Sequence, residues 1–93
     1  MVEIRFYGEL YELTRVKEYS VRISNEITLL DLILILDKNL NIELSKRVLD
    51  DEERIKSRYV VLINGSSLRD NNPKNVRIKD EDVIVFLPPA VGG

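Results

Sequence analysis

The sequence contains neither cysteine nor histidine. Without these residues there is no thiol nucleophile, no imidazole general base and no zinc site of the cysteine and histidine kind. No set of nucleophile, base and orienting residue is visible among the side chains that remain. The chain is therefore unlike a free-standing enzyme.

An excess of basic charge and a long apolar run are also missing. Fourteen basic and sixteen acidic residues give a formal net charge of -2 without a basic block, which argues against a nucleic-acid partner. The apolar stretch at 29–36, interrupted by Asp31, is far shorter than the roughly 20 residues that cross a bilayer. Met1 leads directly into a strand-like segment without a signal-peptide pattern. We expect a cytoplasmic protein with no membrane partner.

Carboxylates are the remaining candidates for metal binding, and residues 50–53 form the one dense acidic cluster. Basic residues surround this cluster at spacings that suit i,i+4 pairing on a helix. These residues are Lys46, Arg47, Arg54 and Lys56. We therefore favour a solvated charged helix over a metal site and predict no bound metal.

Ninety-three residues with 44% hydrophobic and 32% charged content predict one compact domain. Two segments near its start alternate between apolar and polar residues with a period of two, which predicts strands that form an opening hairpin. The apolar positions are Val2, Ile4 and Phe6 in the first segment and Tyr19, Val21 and Ile23 in the second. Gly8 ends the first alternation, and residues 9–14 form a short, helix-like turn.

A buried helix is predicted after Thr28, which is a good N-cap residue. Its apolar positions follow helical spacing at Leu29, Leu32, Ile33, Leu36 and Leu40. Leu30, Leu34 and Ile35 broaden this apolar surface. A strand over 32–36 is the alternative, but the length of the pattern, about a dozen residues, favours the helix.

The second half of the chain predicts a peripheral helix within 43–57 and strands at 59–63, 67–69 and 83–87. Asn64-Gly65 is a strong type I′ hairpin signal because both residues tolerate positive φ. The resulting α+β fold is a mixed sheet packed on one buried helix. If the first and last strands are parallel neighbours, the last strand brings the C-terminus to the edge of the sheet. We assign residues 1–87 to this domain and 88–93 to a flexible tail.

The tail holds two of the three prolines, Pro88 and Pro89, and two of the four glycines, Gly92 and Gly93. Proline cannot donate a backbone hydrogen bond and fixes φ, so the pair ends the last strand. Glycine has no Cβ and would leave the Gly93 carboxylate open to attack in a narrow channel. This pattern favours a working chain end over a disordered tail with accidental glycines.

Several short motifs occur in a characteristic order after two strands and a helix. They are Asn64-Gly65, Asp80-Glu81-Asp82-Val83, Pro88-Pro89 and Gly92-Gly93. In this arrangement the chain resembles the ubiquitin-like β-grasp sulfur carriers of the MoaD/ThiS family, most closely the small subunits of molybdopterin synthase. It departs from them in a long charged segment at 43–57 and in Glu81, where such proteins commonly carry glycine and form a tighter turn.

The resemblance implies that Gly93 is the reactive residue. An adenylyltransferase related to ubiquitin-activating enzymes would use ATP to adenylate the Gly93 carboxylate, and a sulfur donor protein would convert it to a thiocarboxylate. The large subunit of molybdopterin synthase would then receive the sulfur. No cofactor would be bound by the chain itself. A modifier joined through Gly93 to target lysines, or an interaction module without terminal chemistry, are the alternatives.

A tail alone would bind weakly, so the folded body should offer a docking surface. Strand parity places Tyr7, Val60, Leu62 and Leu87 on the outward face of the sheet. An exposed apolar patch of this kind usually marks a partner site. The alternative is that segment 43–57 covers these side chains.

Overall fold

The computed structural model describes residues 1–89. Its strands within that range are β1 (Val2–Phe6), β2 (Glu18–Val21), β3 (Ile27–Thr28), β4 (Val60–Ile63), β5 (Ser66–Ser67), β6 (Arg77–Ile78) and β7 (Val83–Leu87). Its helices are α1 (Glu9–Thr14), α2 (Leu29–Leu40) and α3 (Leu44–Val48), with a 3₁₀ turn at Pro73–Asn75. In this part of the chain no helix has the length and apolar character needed to span a bilayer.

Five strands form a mixed sheet in the order β2-β1-β7-β4-β5. The first and last strands are parallel neighbours, with Ile4 opposite Ile84 and Phe6 opposite Phe86. β2 pairs antiparallel with β1, as the predicted hairpin requires, although α1 lies between them in the chain. β7 is therefore the central strand, and residues after Leu87 leave the sheet between β1 and β4.

Helix α2 packs on one face of this sheet. Thr28 caps it through a capping box, in which the Thr28 hydroxyl accepts from the Asp31 amide and the Asp31 carboxylate accepts from the Thr28 amide, both at 3.0 Å. Leu29, Leu32, Ile33 and Leu36 are fully buried against inward side chains of the sheet. Leu34 differs from the predicted apolar surface because it is 48% exposed on the opposite side of the helix.

The segment 43–57 contains the second predicted helix, but helical residues end at Val48. Leu44 and Val48 are fully buried, so this helix contributes to the core more than its charged sequence suggests. The acidic cluster at 50–53 is a turn, and the prediction of a charged helix there is wrong. Asp50 accepts hydrogen bonds from the Glu52 and Arg54 amides, which fixes the turn.

The Asn64-Gly65 hairpin is confirmed, with φ values of 51° and 87° at these two residues. The strand after it is shorter than predicted, covering Ser66–Ser67, because β5 lies at the edge of the sheet and pairs only with β4. A small sheet of β3 and β6 was not predicted, since two-residue strands leave no readable alternation. The structure is the expected α+β fold of a mixed sheet on a buried helix.

Candidate functional site

The root of the C-terminal segment lies where β7 ends. Leu87 pairs with Val60 of β4, and the ladder stops there. Pro88 and Pro89 follow outside any strand, as predicted, because neither has an amide hydrogen to continue the ladder. Gly92 and Gly93 lie outside the described residues, so their predicted role stays a prediction.

Gly8 supports the root of this segment from the β1 side. It has φ 58° and ψ −133°, a combination that is open mainly to glycine. A Cβ on Gly8 would lie 2.7 Å from the Pro88 Cγ, closer than two carbon atoms can approach. The absence of a side chain at position 8 therefore makes room for the Pro88 ring.

A hydrogen bond joins the two segments that flank the end of β7. The Tyr59 hydroxyl donates to the Glu9 Oε1 at 2.8 Å. Tyr59 immediately precedes β4 and is only 5% exposed, while Glu9 opens α1 directly after Gly8. The Arg47 guanidinium lies 3.5 Å from the other Glu9 oxygen. Burial, and then the Glu9 hydrogen bond, raise the pKa of Tyr59.

The outward face of the sheet next to this root is apolar. Val60 and Leu62 alternate with buried Val61, and their ladder partners are Leu87 and Val85. Val60 is 41% exposed, while Leu62 and Leu87 are half-buried. The sequence prediction that these three residues share the outward face agrees with this register.

Tyr7, the fourth predicted docking residue, directly follows β1 and is 49% exposed. Both Tyr7 and Val60 are open to solvent, so the segment 43–57 does not cover them. The outward face is charged on its other half, where the Arg5 guanidinium lies 3.5 Å from Glu3 and 3.8 Å from Glu18. An apolar area beside the root of the tail is therefore bordered by a charged one.

The opposite end of the sheet joins two of the sequence motifs. The Asn64 side-chain amide donates to the Asp82 Oδ1, and the Asn64 side-chain oxygen accepts from the Val83 amide, each at 2.9 Å. The second Asp82 oxygen accepts from the Lys79 amide at 2.8 Å. Asn64-Gly65 and the turn before β7 thus form one hydrogen-bonded unit at the end of β7 opposite to Pro88.

The N-terminal ammonium group pairs with carboxylates at the same end of the sheet. The Met1 ammonium lies 2.7 Å from Asp80 and 3.2 Å from Glu81. Hydrogen bonds to Asp80 and then Glu81 raise the pKa of the Met1 amino group above its ordinary value. The pKa of Asp80 is correspondingly lowered, chiefly by the hydrogen bond from that ammonium.

Sequence reasoning missed Gly8, Glu9 and Tyr59 as members of the site. Gly8 was interpreted only as the end of a strand, and Tyr59 as the start of one. The Glu9–Tyr59 contact spans 50 positions in the chain, and Gly8 meets a proline 80 positions away. The available signal was the parallel pairing of the first and last strands, which predicts that residues just after each will meet.

The described part of the chain offers no metal site, since residues 1–89 contain no group of three acidic, cysteine or histidine side chains suited to an ion. What the site presents is a proline-ended central strand beside an apolar surface. Such an arrangement can present a chain end to a partner protein.

Comparison with known proteins fits this geometry. The model of the ThiS family matches residues 4–93, nearly the whole chain. The chain belongs to the ThiS family. It is thus a member of the ubiquitin-like sulfur carriers. A search of curated proteins returns no match.

Solved structures share the ubiquitin-like β-grasp fold of this ThiS-family chain. SAMP1 from Haloferax volcanii has a TM-score of 0.79 at 22% identity, covering 99% of this chain and 98% of the other. A putative molybdopterin converting factor subunit 1 from Pyrococcus furiosus has a TM-score of 0.69 at 20% identity, covering 96% and 97%. The structure of the Amycolatopsis orientalis BexX/CysO complex contains a chain with a TM-score of 0.78 at 22% identity. The match covers 100% of this chain and 100% of that chain.

Glu81 lies in the turn that the resemblance predicts to be less tight than usual, and this stays a prediction. In the structure the Lys79 carbonyl accepts from the Asp82 amide at 3.1 Å across this turn. Glu81 itself adopts φ 73°, the left-handed conformation that favours glycine. Its amide donates to the Met1 carbonyl at 3.2 Å and its side chain contacts the Met1 ammonium, which together help to hold this conformation.

Proposed function

We propose that the chain is a sulfur carrier whose Gly93 carboxylate is adenylated and then converted to a thiocarboxylate. A free carboxylate is a poor acyl donor, because its charge is delocalised and oxide is its leaving group. An adenylyltransferase related to ubiquitin-activating enzymes would use ATP to form the acyl-adenylate with release of pyrophosphate. Sulfur from a donor protein would then displace AMP. The chain is the cosubstrate of this chemistry and binds no cofactor itself.

One observation carries the proposal. The family match extends to residue 93, and the structure places the start of the final segment at the free end of a central strand. Six residues from Pro88 span at most about 20 Å when extended. That reach is enough to enter an active site while the folded body remains outside.

We further propose that the recipient of the sulfur is the large subunit of molybdopterin synthase, where a pterin precursor accepts it. The family match and the shared fold with a putative molybdopterin converting factor subunit support this assignment. The small archaeal modifier structure has the same fold, so a modifier joined through Gly93 to target lysines is the second candidate. Both candidates need the same adenylate, and one protein could serve in both roles.

The apolar outward surface is the proposed docking site for the activating enzyme. Tyr7 and Val60 are exposed there beside half-buried Leu62 and Leu87. Replacing Val60 with Asp should raise the KM for the carrier about tenfold or more, because a charge would be buried at the contact. Ser20→Asp, on the outward face at the β2 edge, is the matched control. Equal KM values for the two variants would contradict the docking site.

The adenylation proposal is tested by incubating the chain with ATP and the adenylyltransferase encoded in the same genome. We expect pyrophosphate release that depends on the carrier, and a mass increase of one adenylyl group on the terminal peptide. A chain extended by one alanine after Gly93 should give neither. A third candidate, an interaction module without terminal chemistry, predicts that deletion of Gly92 and Gly93 leaves function in the cell intact.

A further inference from the structure

The direction in which the chain leaves the sheet is not set by backbone hydrogen bonds. Pro88 and Pro89 have no amide hydrogens to donate, and within residues 1–89 neither carbonyl accepts a backbone hydrogen bond. β7 is nevertheless flanked on both sides up to Leu87. Any fixed exit direction must therefore come from side-chain packing and hydrogen bonding just beyond the ladder.

Gly8 supplies this support directly, because the Pro88 ring lies so near that even a methyl group on Gly8 would not fit. A hydrogen bond of 2.8 Å supports Gly8 in turn. It joins Glu9, the residue after Gly8, to buried Tyr59, the residue before β4.

We infer that Glu9 and Tyr59 are positioning residues that fix Gly8 and Pro88, where the chain leaves the sheet, for entry of the chain end into the active site of the activating enzyme. The inference rests on the proposed function. Once the body has docked, entry of the chain end is an intramolecular step, and its probability depends on how often the segment points the right way. A shift of Pro88 changes where the following residues start, and misplacement of even about 1 Å can cost two orders of magnitude in rate.

This role predicts a separation of kinetic constants. Docking by the outward face sets the KM for the carrier, whereas entry of the chain end contributes to kcat. Tyr59→Phe keeps the buried ring and removes only the hydroxyl. We expect a roughly five- to tenfold lower kcat for adenylate formation with an unchanged KM, in proportion to the loss of one hydrogen bond. Val60→Asp should instead raise the KM.

Glu9 provides the rescue test. Glu9→Ala should lower kcat as Tyr59→Phe does, while Glu9→Gln should restore it, since the amide oxygen still accepts from the Tyr59 hydroxyl. The double variant Glu9→Ala with Tyr59→Phe should be no worse than either single variant. Tyr19→Phe on β2, which loses the same atom away from the exit, is the matched control and should retain the original kcat.

Steady-state adenylation kinetics with the cognate activating enzyme test the inference, with urea unfolding used to confirm that each variant is folded. A lower kcat in Tyr59→Phe and Glu9→Ala, rescued by Glu9→Gln, supports it. Unchanged kcat in both, or a loss that Glu9→Gln shares, overturns it. Absence of adenylation in the original chain would instead overturn the proposed function, so the two failures are distinguishable.

Discussion

The two ends of the central parallel pair, β1 and β7, are built in different ways. At the end where β7 begins, Asn64 is hydrogen-bonded to Asp82 and to the Val83 amide, and the Met1 ammonium pairs with Asp80. At the end where β7 stops, the prolines exclude further ladder hydrogen bonds. A glycine contact at Gly8 and one Glu9–Tyr59 hydrogen bond supply the support there. Polar contacts fix the first end, whereas at the second end the chain leaves the sheet.

Residues with positive φ occur at both ends, but the space around their side chains differs. Asn64 and Glu81 carry side chains in the left-handed region and use them for hydrogen bonds or ion pairs. Gly8 has positive φ and a neighbouring ring that leaves no space for a side chain. Changes at the turn end should therefore affect mainly stability, and changes at the exit end should affect the presentation of Gly93 as well.

The largest stability effect is expected from Asp82→Ala at the turn end. This change leaves the Asn64 side-chain amide and the Lys79 backbone amide without their acceptor, in a site where Asp82 is 7% exposed. We expect a loss of about 3 kcal/mol in the free energy of unfolding. Urea denaturation measures it. Asp51→Ala, an exposed carboxylate in the 50–53 turn, should change stability by less than about 0.5 kcal/mol.

The folded Asp82→Ala molecule should be adenylated at the original rate, because the exit end is intact. A large fall in kcat under conditions where the variant is fully folded would show that the two ends are not independent.

Gly8→Ala should have the next largest effect and should lower both the stability of the fold and the rate of adenylation. The methyl group meets the Pro88 ring and the backbone is strained, which we expect to cost about 2 kcal/mol of unfolding free energy. Gly65→Ala is the matched control, because Gly65 has φ 87° and no atom within 4 Å of the added Cβ. Gly65→Ala therefore shares the backbone strain of Gly8→Ala but creates no steric clash.

Adenylation separates the two glycine variants more sharply than stability does. Gly8→Ala should lower kcat about tenfold or more, and Gly65→Ala should leave it unchanged, since only Gly8 touches the segment that leads to Gly93. Equal kcat values for the two variants would contradict the proposed division between the ends.

A smaller effect is expected from pH at the exit end. Because the pKa of Tyr59 is raised in the folded protein, its contribution to stability is complete below about pH 10, the ordinary tyrosine pKa. It is lost as the pH rises through the folded-state pKa. The stability difference between the original chain and Tyr59→Phe should therefore change above pH 10 and stay constant between pH 7 and 9. Denaturation series over this range measure both, and a constant difference throughout would refute the shift.

The smallest effect is expected at the Met1 ammonium. Its raised pKa means that the ion pairs contribute to stability below about pH 8 and cease to do so as the pH rises through the folded-state pKa. Asp80→Asn should return that pKa toward its ordinary value, as measured by NMR titration of protein that retains Met1. Glu81→Gln should shift it less, because Asp80 is the main cause. The reverse order would contradict this account.

The sequence predicted the central elements because their signals are local. The alternation at Val2–Phe6, the Thr28 cap and the Asn64-Gly65 turn each depend on a few neighbouring residues, and all are confirmed. Segment 43–57 was harder to predict, because its charges suggested a long helix. The helix ends at Val48, since Leu49 is extended and pairs with Ile55, and the hydrogen bonds of Asp50 form a turn between them.

The candidate site was predicted in part for the same reason. Pro88, Val60 and Leu87 could be placed from composition and strand parity. Gly8, Glu9 and Tyr59 could not, because their roles come from contacts between distant parts of the chain at the end of β7. Local sequence therefore identified the segment that leaves the sheet, but it did not identify the residues that direct it.

The central claim is that the carboxyl group of Gly93 is the reactive group, and intact-mass analysis of the protein purified from its own host tests it most directly. We predict a fraction heavier by the difference between one sulfur and one oxygen atom, located at Gly93 by fragmentation, or Gly93 joined to lysines of other proteins. Only unmodified Gly93, from cells that are making molybdenum cofactor, would contradict the account.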